Sequence, residues 1–360
     1  MRVLLISPLG GVIGGIAMWT KHIVNYMATL SDVNISLCDF SRKIAGQTIS
    51  SPIKKWLSAA YDYICLTHAA IHKVKDFDGD VVHICTSASF LLIKDILILQ
   101  TAKKKGLRTC IHFHFGRIPQ LANKRGWEWK LLLKVISIAD TAIVMDKMSF
   151  STLEDNGYQN VVLIPNPISE EVRQIVDDTI SKRVDRLLLF AGHCIPTKGV
   201  FELVRACKTI PNIRLRMIGA ISDNVHKELT EIAGNQNEWL EIKGQVSFKE
   251  TIIEMKSCDI FVLPTYTEGF PNVILESMAC GCPIIASSVG AIPEMLEEED
   301  GRHYGILIVP QNESNLKTAI LTLLGNDKLK VECGNNARKR VYARYNIQTI
   351  SNQLIKTWQN

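Results

Sequence analysis

Two successive series of short apolar runs, six in each half of the chain, alternate with stretches of helical spacing. That alternation constrains the fold more than any single motif. In the first half Arg2–Ser7, Asn34–Asp39, Val81–Cys85, Arg108–Phe113, Thr141–Val144 and Asn160–Ile164 read as strands, and Ala17–Leu30 carries the helical spacing Met18, His22, Val24, Met27, Leu30. A parallel neighbour is reached only through a long crossover, so strand–helix–strand repeats build parallel sheets covered by helices. Pro165-Asn166-Pro167 breaks the chain, and the charged stretch Ser169–Arg186 reads as a linker or a surface helix. A second series then begins, with strands at Leu187–Ala191, Arg214–Ile218, Leu240–Lys243, Ile260–Leu263, Pro283–Ala286 and Gly305–Val309. The expectation is α/β: two Rossmann-like domains, residues 1–168 and 169–340, with a ligand cleft between them. There are no internal repeats and no low-complexity tracts.

The 360 residues suffice for two domains, each with its own core. No apolar run approaches the roughly 18 residues of a spanning helix; the nearest, Phe90–Leu99, is interrupted by Lys94 and Asp95. The opening MRVLLISPLGG reads as a buried strand rather than a signal peptide. The ten cysteines are scattered among apolar neighbours. Cys280 and Cys282 stand too close for an ordinary disulfide and lack a second ligand pair for zinc, so all ten are expected as reduced core residues of a cytosolic protein. The net charge is +5, and the excess lies in the first half, where residues 1–170 carry 19 Lys and Arg against 13 Asp and Glu. That basic half suits an anionic membrane at the inner face of the cell, or an anionic lipid-linked acceptor. No nucleic-acid partner is expected.

The chemistry concentrates after Leu263, in PTYTEGFPNVILESMACGCP, which ends at Pro283. CDIFVLPT reads as a buried strand, and Pro271 stands where a first helical turn accepts a residue without an N–H. Strand, turn and helix N-terminus together make an anion site from unpaired N–H groups and the helix dipole. Glu268 in the turn and Glu276 in the helix can only accept hydrogen bonds when ionised, which suits sugar hydroxyls and repels phosphate. Hydroxyls at two places with a diphosphate between them describe a nucleotide sugar. A second phosphate site is Ala191-Gly192-His193 at a strand end with Lys198-Gly199 in the same turn: a compact positive charge beside backbone that can approach closely. There is no Walker A pattern, no dinucleotide fingerprint in the Gly10, Gly11, Gly14, Gly15 loop, no Asp-X-Asp and no tight His/Asp/Glu cluster, so neither NAD nor a metal is expected.

The Glu268 to Glu276 run resembles the signature of the retaining family-4 glycosyltransferases of the GT-B fold, in which two glutamates with seven residues between them frame a Gly-Phe-Pro. The resemblance continues through Pro283, Gly290, Pro293 and Glu294. It implies two Rossmann-like domains across a cleft and a C-terminal helix, 341–360, packing back on the first. It implies that Glu268 takes the donor sugar's hydroxyls, aided by Gly269, Phe270, Pro271, Asn272 and Val273, and that Glu276 takes the ribose. Backbone at Gly244, Gln245 and Val246 pairs with the base, which uracil and guanine both satisfy; a UDP-linked donor is the reading taken. Gly15 and Gly192 approach the donor. Lys198 keeps the family's lysine, but His193 stands where the family has arginine, exchanging a permanent fork for a single imidazole donor. In His112-Phe113-His114-Phe115-Gly116 the two histidines share a side by alternation. The resemblance brings a histidine here close to the transferred sugar; His114, at the open strand end, is favoured, and His112 is read as a core histidine bonded to backbone.

The stretch Lys124–Lys134, KRGWEWKLLLK, reads as an interfacial helix with Trp127 and Trp129 at headgroup level, and Lys54-Lys55-Trp56 as a weaker version of it. The combined expectation is a retaining, metal-independent hexosyltransferase. It moves sugar from a nucleoside diphosphate to a saccharide or lipid-linked acceptor in cell-surface polysaccharide, lipopolysaccharide or capsule assembly. Catalysis is assigned to His114, Glu268 and Lys198. The rivals are a sugar-nucleotide epimerase or hydrolase on the same fold, and a non-catalytic partner subunit.

Overall fold

The structure, a computed structural model, describes residues 1–10, 14–41, 52–235 and 237–360; the side chains of residues 52–57 and 59 also lie outside the description. Gly11 and the side chains of Lys54, Lys55 and Trp56 therefore fall outside the described residues. The chain forms two compact units, Met1–Asn166 with Ile347–Asn360, and Pro167–Asn346. The division thus falls at Asn166–Pro167 and at Asn346–Ile347, where residues 168 and 340 were expected.

Each of the twelve expected strands is present, with ends shifted by at most one residue. In the first unit β1 (Arg2–Ser7), β2 (Asn34–Asp39), β3 (Val81–Thr86), β4 (Arg108–Phe113), β5 (Thr141–Val144) and β6 (Val161–Leu163) make a wholly parallel sheet in the order β2-β1-β3-β4-β5-β6. Successive side chains point to opposite faces, so each central strand feeds two cores. Leu4, Ile6, Val82, Ile84, Ile111 and Phe113 share one face, and Val3, Leu5, Val81, Cys85 and Cys110 the other. The second face is closed by the Gly15–Met27 helix through Trp19, Ile23 and Met27, and by the Ile347–Gln359 helix through Ile350, Leu354 and Trp358. Spacings of four residues put each trio on one stripe. Each fully buried aliphatic side chain contributes about 1.5–3 kcal/mol.

In the second unit β7 (Leu187–Ala191), β8 (Arg214–Ile218), β9 (Leu240–Gly244), β10 (Ile260–Leu263), β11 (Ile284–Ser287) and β12 (Ile306–Ile308) order as β12-β11-β10-β7-β8-β9, again parallel. Chain progression reverses between β7 and β10, so their crossovers leave in opposite directions and open a crevice above the strand carboxyl ends. The corresponding reversal in the first unit lies between β1 and β3.

Several local expectations change. Ser169–Arg186 contains a surface helix, Glu170–Asp178, whose N-cap Ser169 accepts from the Val172 N–H and which buries Val172 and Val176. The helix expected over 341–360 is divided between two, Asp327–Arg344 and Ile347–Gln359. The first ends at Tyr345, whose carbonyl accepts from Ile168 N–H at 2.7 Å. Nine of the ten cysteines are buried, but Cys65 is exposed on the Pro52–Asp76 helix and belongs to no core. Trp129 packs into the first unit's core at 5% exposure, so of the two tryptophans placed at headgroup level only Trp127 faces solvent. Among the described residues no helix is long and apolar enough to cross a membrane.

Candidate functional site

The reversal point of the second sheet collects the charged residues flagged in that half. After β7 the chain runs through Gly192 and the exposed His193 into a single 3-10 turn, Pro196–Lys198, and Gly199 then starts the Val200–Lys208 helix. Gly199 has φ +70, and a Cβ there would run into the Pro264 carbonyl just beyond β10, so only glycine lets these two loops close on each other. Tyr266 N–H donates to Thr197 O at 2.9 Å across the same junction. These contacts bring the Lys198 ammonium onto Glu268 Oε1 in an ion pair, with side chains 24% and 12% exposed. Neither the Val200–Lys208 helix nor the Asn272–Ala279 helix has a side-chain N-cap. Two helix N-termini with backbone donors thus flank one lysine and one carboxylate, a combination that receives a diphosphate and a hydroxyl-bearing group.

Glu268 is held from beneath. Gly290 has φ +56, and a Cβ there would meet the Glu268 carbonyl and stand 2.7 Å from that of Gly269; Ala291 N–H donates to the same Gly269 carbonyl at 2.9 Å. Phe270 is buried and packs edge-on against Tyr345, ring centroids 5.5 Å apart, so only its backbone is offered to a ligand. Glu276, in the second turn of Asn272–Ala279, is half-buried and makes no side-chain hydrogen bond or ion pair among the described residues. Desolvation raises its carboxyl to about 7. Gly244 ends the edge strand β9 and accepts from Gly219 N–H at 2.8 Å, with Gln245 exposed and Val246 half-buried beyond it.

His114 and Gly15 belong to the first unit. His114 follows β4, its N–H donating to Thr86 O at 2.9 Å, and its Nε2 has no partner among the described residues. Burial, with the neighbouring His83 adding to it, lowers its pKa to about 3, so the ring is neutral. His112 is fully buried but is not bonded to backbone as expected; both ring nitrogens lack partners among the described residues. Gly15 opens the helix that lays Trp19 over this group, with ring centroids 5.0 Å from His112 and 4.9 Å from His114. A Cβ at Gly15 would meet nothing within 4 Å among the described residues.

His83 and Trp358 complete the cluster, and the sequence analysis did not single them out. Trp358 Nε1–H donates to His83 Nδ1 at 2.9 Å. His83, Cys85 and His112 place ligand-type atoms within 4.8 Å of one another, a grouping the sequence analysis did not anticipate. It is nonetheless a poor metal site. An indole nitrogen can only donate, so the neutral His83 ring carries its own proton on Nε2, the atom a metal would need. The available signal was strand parity: His83 with Cys85, and His112 with His114, two apart in adjacent runs.

The family model for Glycosyl transferases group 1 matches residues 173–340. This segment belongs to the glycosyl transferases group 1 family. An uncharacterized glycosyltransferase of Methanocaldococcus jannaschii is 30% identical over 202 residues, 56% of this chain and 54% of that protein. The capsular polysaccharide biosynthesis glycosyltransferase CapM of Staphylococcus aureus is 25% identical over 213 residues, 58% and 53% respectively. The chain spans about half the length of the curated relatives it matches. Among solved structures, Anabaena HepE in complex with UDP-glucose superposes with a TM-score of 0.74 at 18% identity, covering 100% of this chain and 99% of that one, which shows a shared GT-B fold. The group 1 segment contains the Lys198–Glu268 pair, the uncapped Asn272–Ala279 helix, Glu276 and Gly290; His114, Trp19 and His83 lie outside it.

Proposed function

We propose that this protein is a retaining glycosyltransferase. It takes a sugar from a nucleoside-diphosphate donor, UDP-linked in our reading, and passes it to a saccharide or lipid-linked acceptor in cell-surface polysaccharide assembly, with no metal required. The observation that carries this reading is the Lys198–Glu268 ion pair at the strand-order reversal of the second sheet, beside two helix N-termini without side-chain caps. Support for the setting comes from the capsular polysaccharide enzyme of Staphylococcus aureus, and for the donor from the UDP-glucose complex of HepE.

In this reading the diphosphate lies on Lys198, His193 and the two helix ends. Glu268 and the N–H groups of Gly269, Phe270, Asn272 and Val273 hold the sugar, Glu276 the ribose, and Gly244 to Val246 the base. The acceptor oxygen bonds to the anomeric carbon on the face from which the phosphate leaves. The bond from that carbon to the β-phosphate oxygen breaks, its electrons go to the phosphate, and the acceptor's proton follows them, so no separate base is needed. Lys198 stabilises the charge that appears on the leaving oxygen, an interaction stronger in the transition state than in the ground state. His114, in the first unit, is neutral and can make a hydrogen bond without carrying charge. Work at the cytoplasmic face of a membrane belongs to the same reading.

The test is a nucleotide-sugar screen by thermal stabilisation, followed by transfer assays with the stabilising donor. Lys198→Ala should lower transfer by roughly 100-fold or more. A near-normal rate would remove Lys198 from the mechanism, and donor turnover that needs no acceptor would favour the epimerase or hydrolase.

A further inference from the structure

We propose that one face of the first unit, built by the helices Pro52–Asp76, Leu91–Lys104 and Trp127–Ile138, docks on an anionic phospholipid surface. Thirteen large apolar side chains are exposed among the described residues, and six of them lie here: Tyr61, Ile64, Phe90, Ile93, Leu97 and Trp127, each between 44% and 69% exposed. Scattered single exposures are ordinary on a soluble protein; a cluster of this kind marks an interaction surface. Phe90, Ile93 and Leu97 recur at the spacing of one helix stripe. Phe90 stacks on Trp127 with centroids 4.8 Å apart, and Tyr63 Oη donates to the Phe90 carbonyl at 3.0 Å, tying the three helices at one end of the face.

Charge selects the occupant. Lys130 and Lys134 follow Trp127 at helical spacing and are exposed, and Lys124 and Arg125 stand exposed just before it. The acid among them, Glu128, is already engaged by Arg117 and by the Ser89 N–H. An apolar, aromatic-bearing centre with a cationic rim matches acyl chains beneath anionic headgroups. The surface differs from the one expected from Lys124–Lys134 alone: Trp129 turns into the core, and Phe90, Ile93 and Leu97 of the neighbouring helix take its place. The inference is independent of the donor chemistry.

The experiment is co-sedimentation of the full chain with vesicles of phosphatidylglycerol and phosphatidylcholine in equal parts, and with phosphatidylcholine alone, over a salt series. Binding is expected only to the anionic vesicles and should weaken with salt. Lys130→Glu with Lys134→Glu should reduce partitioning at least roughly tenfold, and Phe90→Ser with Trp127→Ser by a similar factor. Stabilisation by the nucleotide sugar should persist in all variants, which separates this inference from the proposed activity. Wild-type chain left in the supernatant, equal binding to neutral vesicles, or charge variants that bind normally would overturn it. So would dimers, detected by light scattering, that the serine pair converts to monomers, since the face would then be covered by a second copy. If the serine pair lowers the melting midpoint, the charge pair and the lipid series decide.

Discussion

Glu276 allows a stability prediction whose sign is opposite to that of most substitutions in a binding site. Its carboxyl is raised from 4.5 to about 7 because burial penalises the charged form and no partner among the described residues compensates. The folded state therefore binds its proton more tightly than the unfolded state does. Between pH 4.5 and about 7 the folded chain holds more protons, so stability falls as pH rises through that window and is constant on either side. At 1.36 kcal/mol per pH unit the full shift corresponds to about 3 kcal/mol. The side chain is half-buried rather than sealed, and solvent screening trims this to about 2 kcal/mol. Glu276→Gln keeps the shape and removes the charge. It should raise stability by about 2 kcal/mol at pH 7 and above, roughly 4–8 °C in midpoint for a unit of this size, and by nothing below pH 4.5. With Glu276 in the ribose-binding role proposed above, the same change should also weaken donor binding. The assay is thermal unfolding across the pH range, with and without the nucleotide sugar. Identical wild-type and Gln curves at neutral pH would refute the claim that an uncompensated carboxylate is held there at a cost to the fold.

Gly290→Ala should cost about 1–3 kcal/mol from its left-handed backbone alone, and should weaken donor binding by shifting the Glu268 and Gly269 carbonyls; Gly15→Ala, with open space and an ordinary φ, should leave the unfolding midpoint unchanged. Equal midpoints for both variants would contradict the steric argument. His193→Arg adds a permanent fork at an exposed position after β7 and should tighten UDP binding roughly tenfold, as a charge-assisted hydrogen bond does. Titration calorimetry showing unchanged affinity would place that side chain away from the diphosphate.

Much of the candidate site could be read as residue types in a pattern, but not as neighbours. Lys198 and Glu268 announce themselves through their turns, yet they are 70 positions apart, and they meet only because β10 pairs with β7. The histidines show the same limit. Parity aligned His112 with His114, but Cys85 opposite His112, and His83 beneath Trp358, required the β3–β4 register and the return of the last helix. The two tryptophans of Lys124–Lys134 look alike in sequence. Trp129 is buried and Trp127 exposed because only one of them falls on the stripe facing the core.

Sequence alone determined the twelve strands, the helical cover between them and the class of fold, because strand and helix periodicities are local and each apolar run must bury its own side chains. Tertiary structure decided the order of strands within each sheet, and with it where the chain reverses, which loops close on Lys198 and Glu268, and that both ring nitrogens of His112 lack partners among the described residues. Those outcomes depend on pairing between segments far apart in the chain, where the free energy comes from contacts that no local window contains.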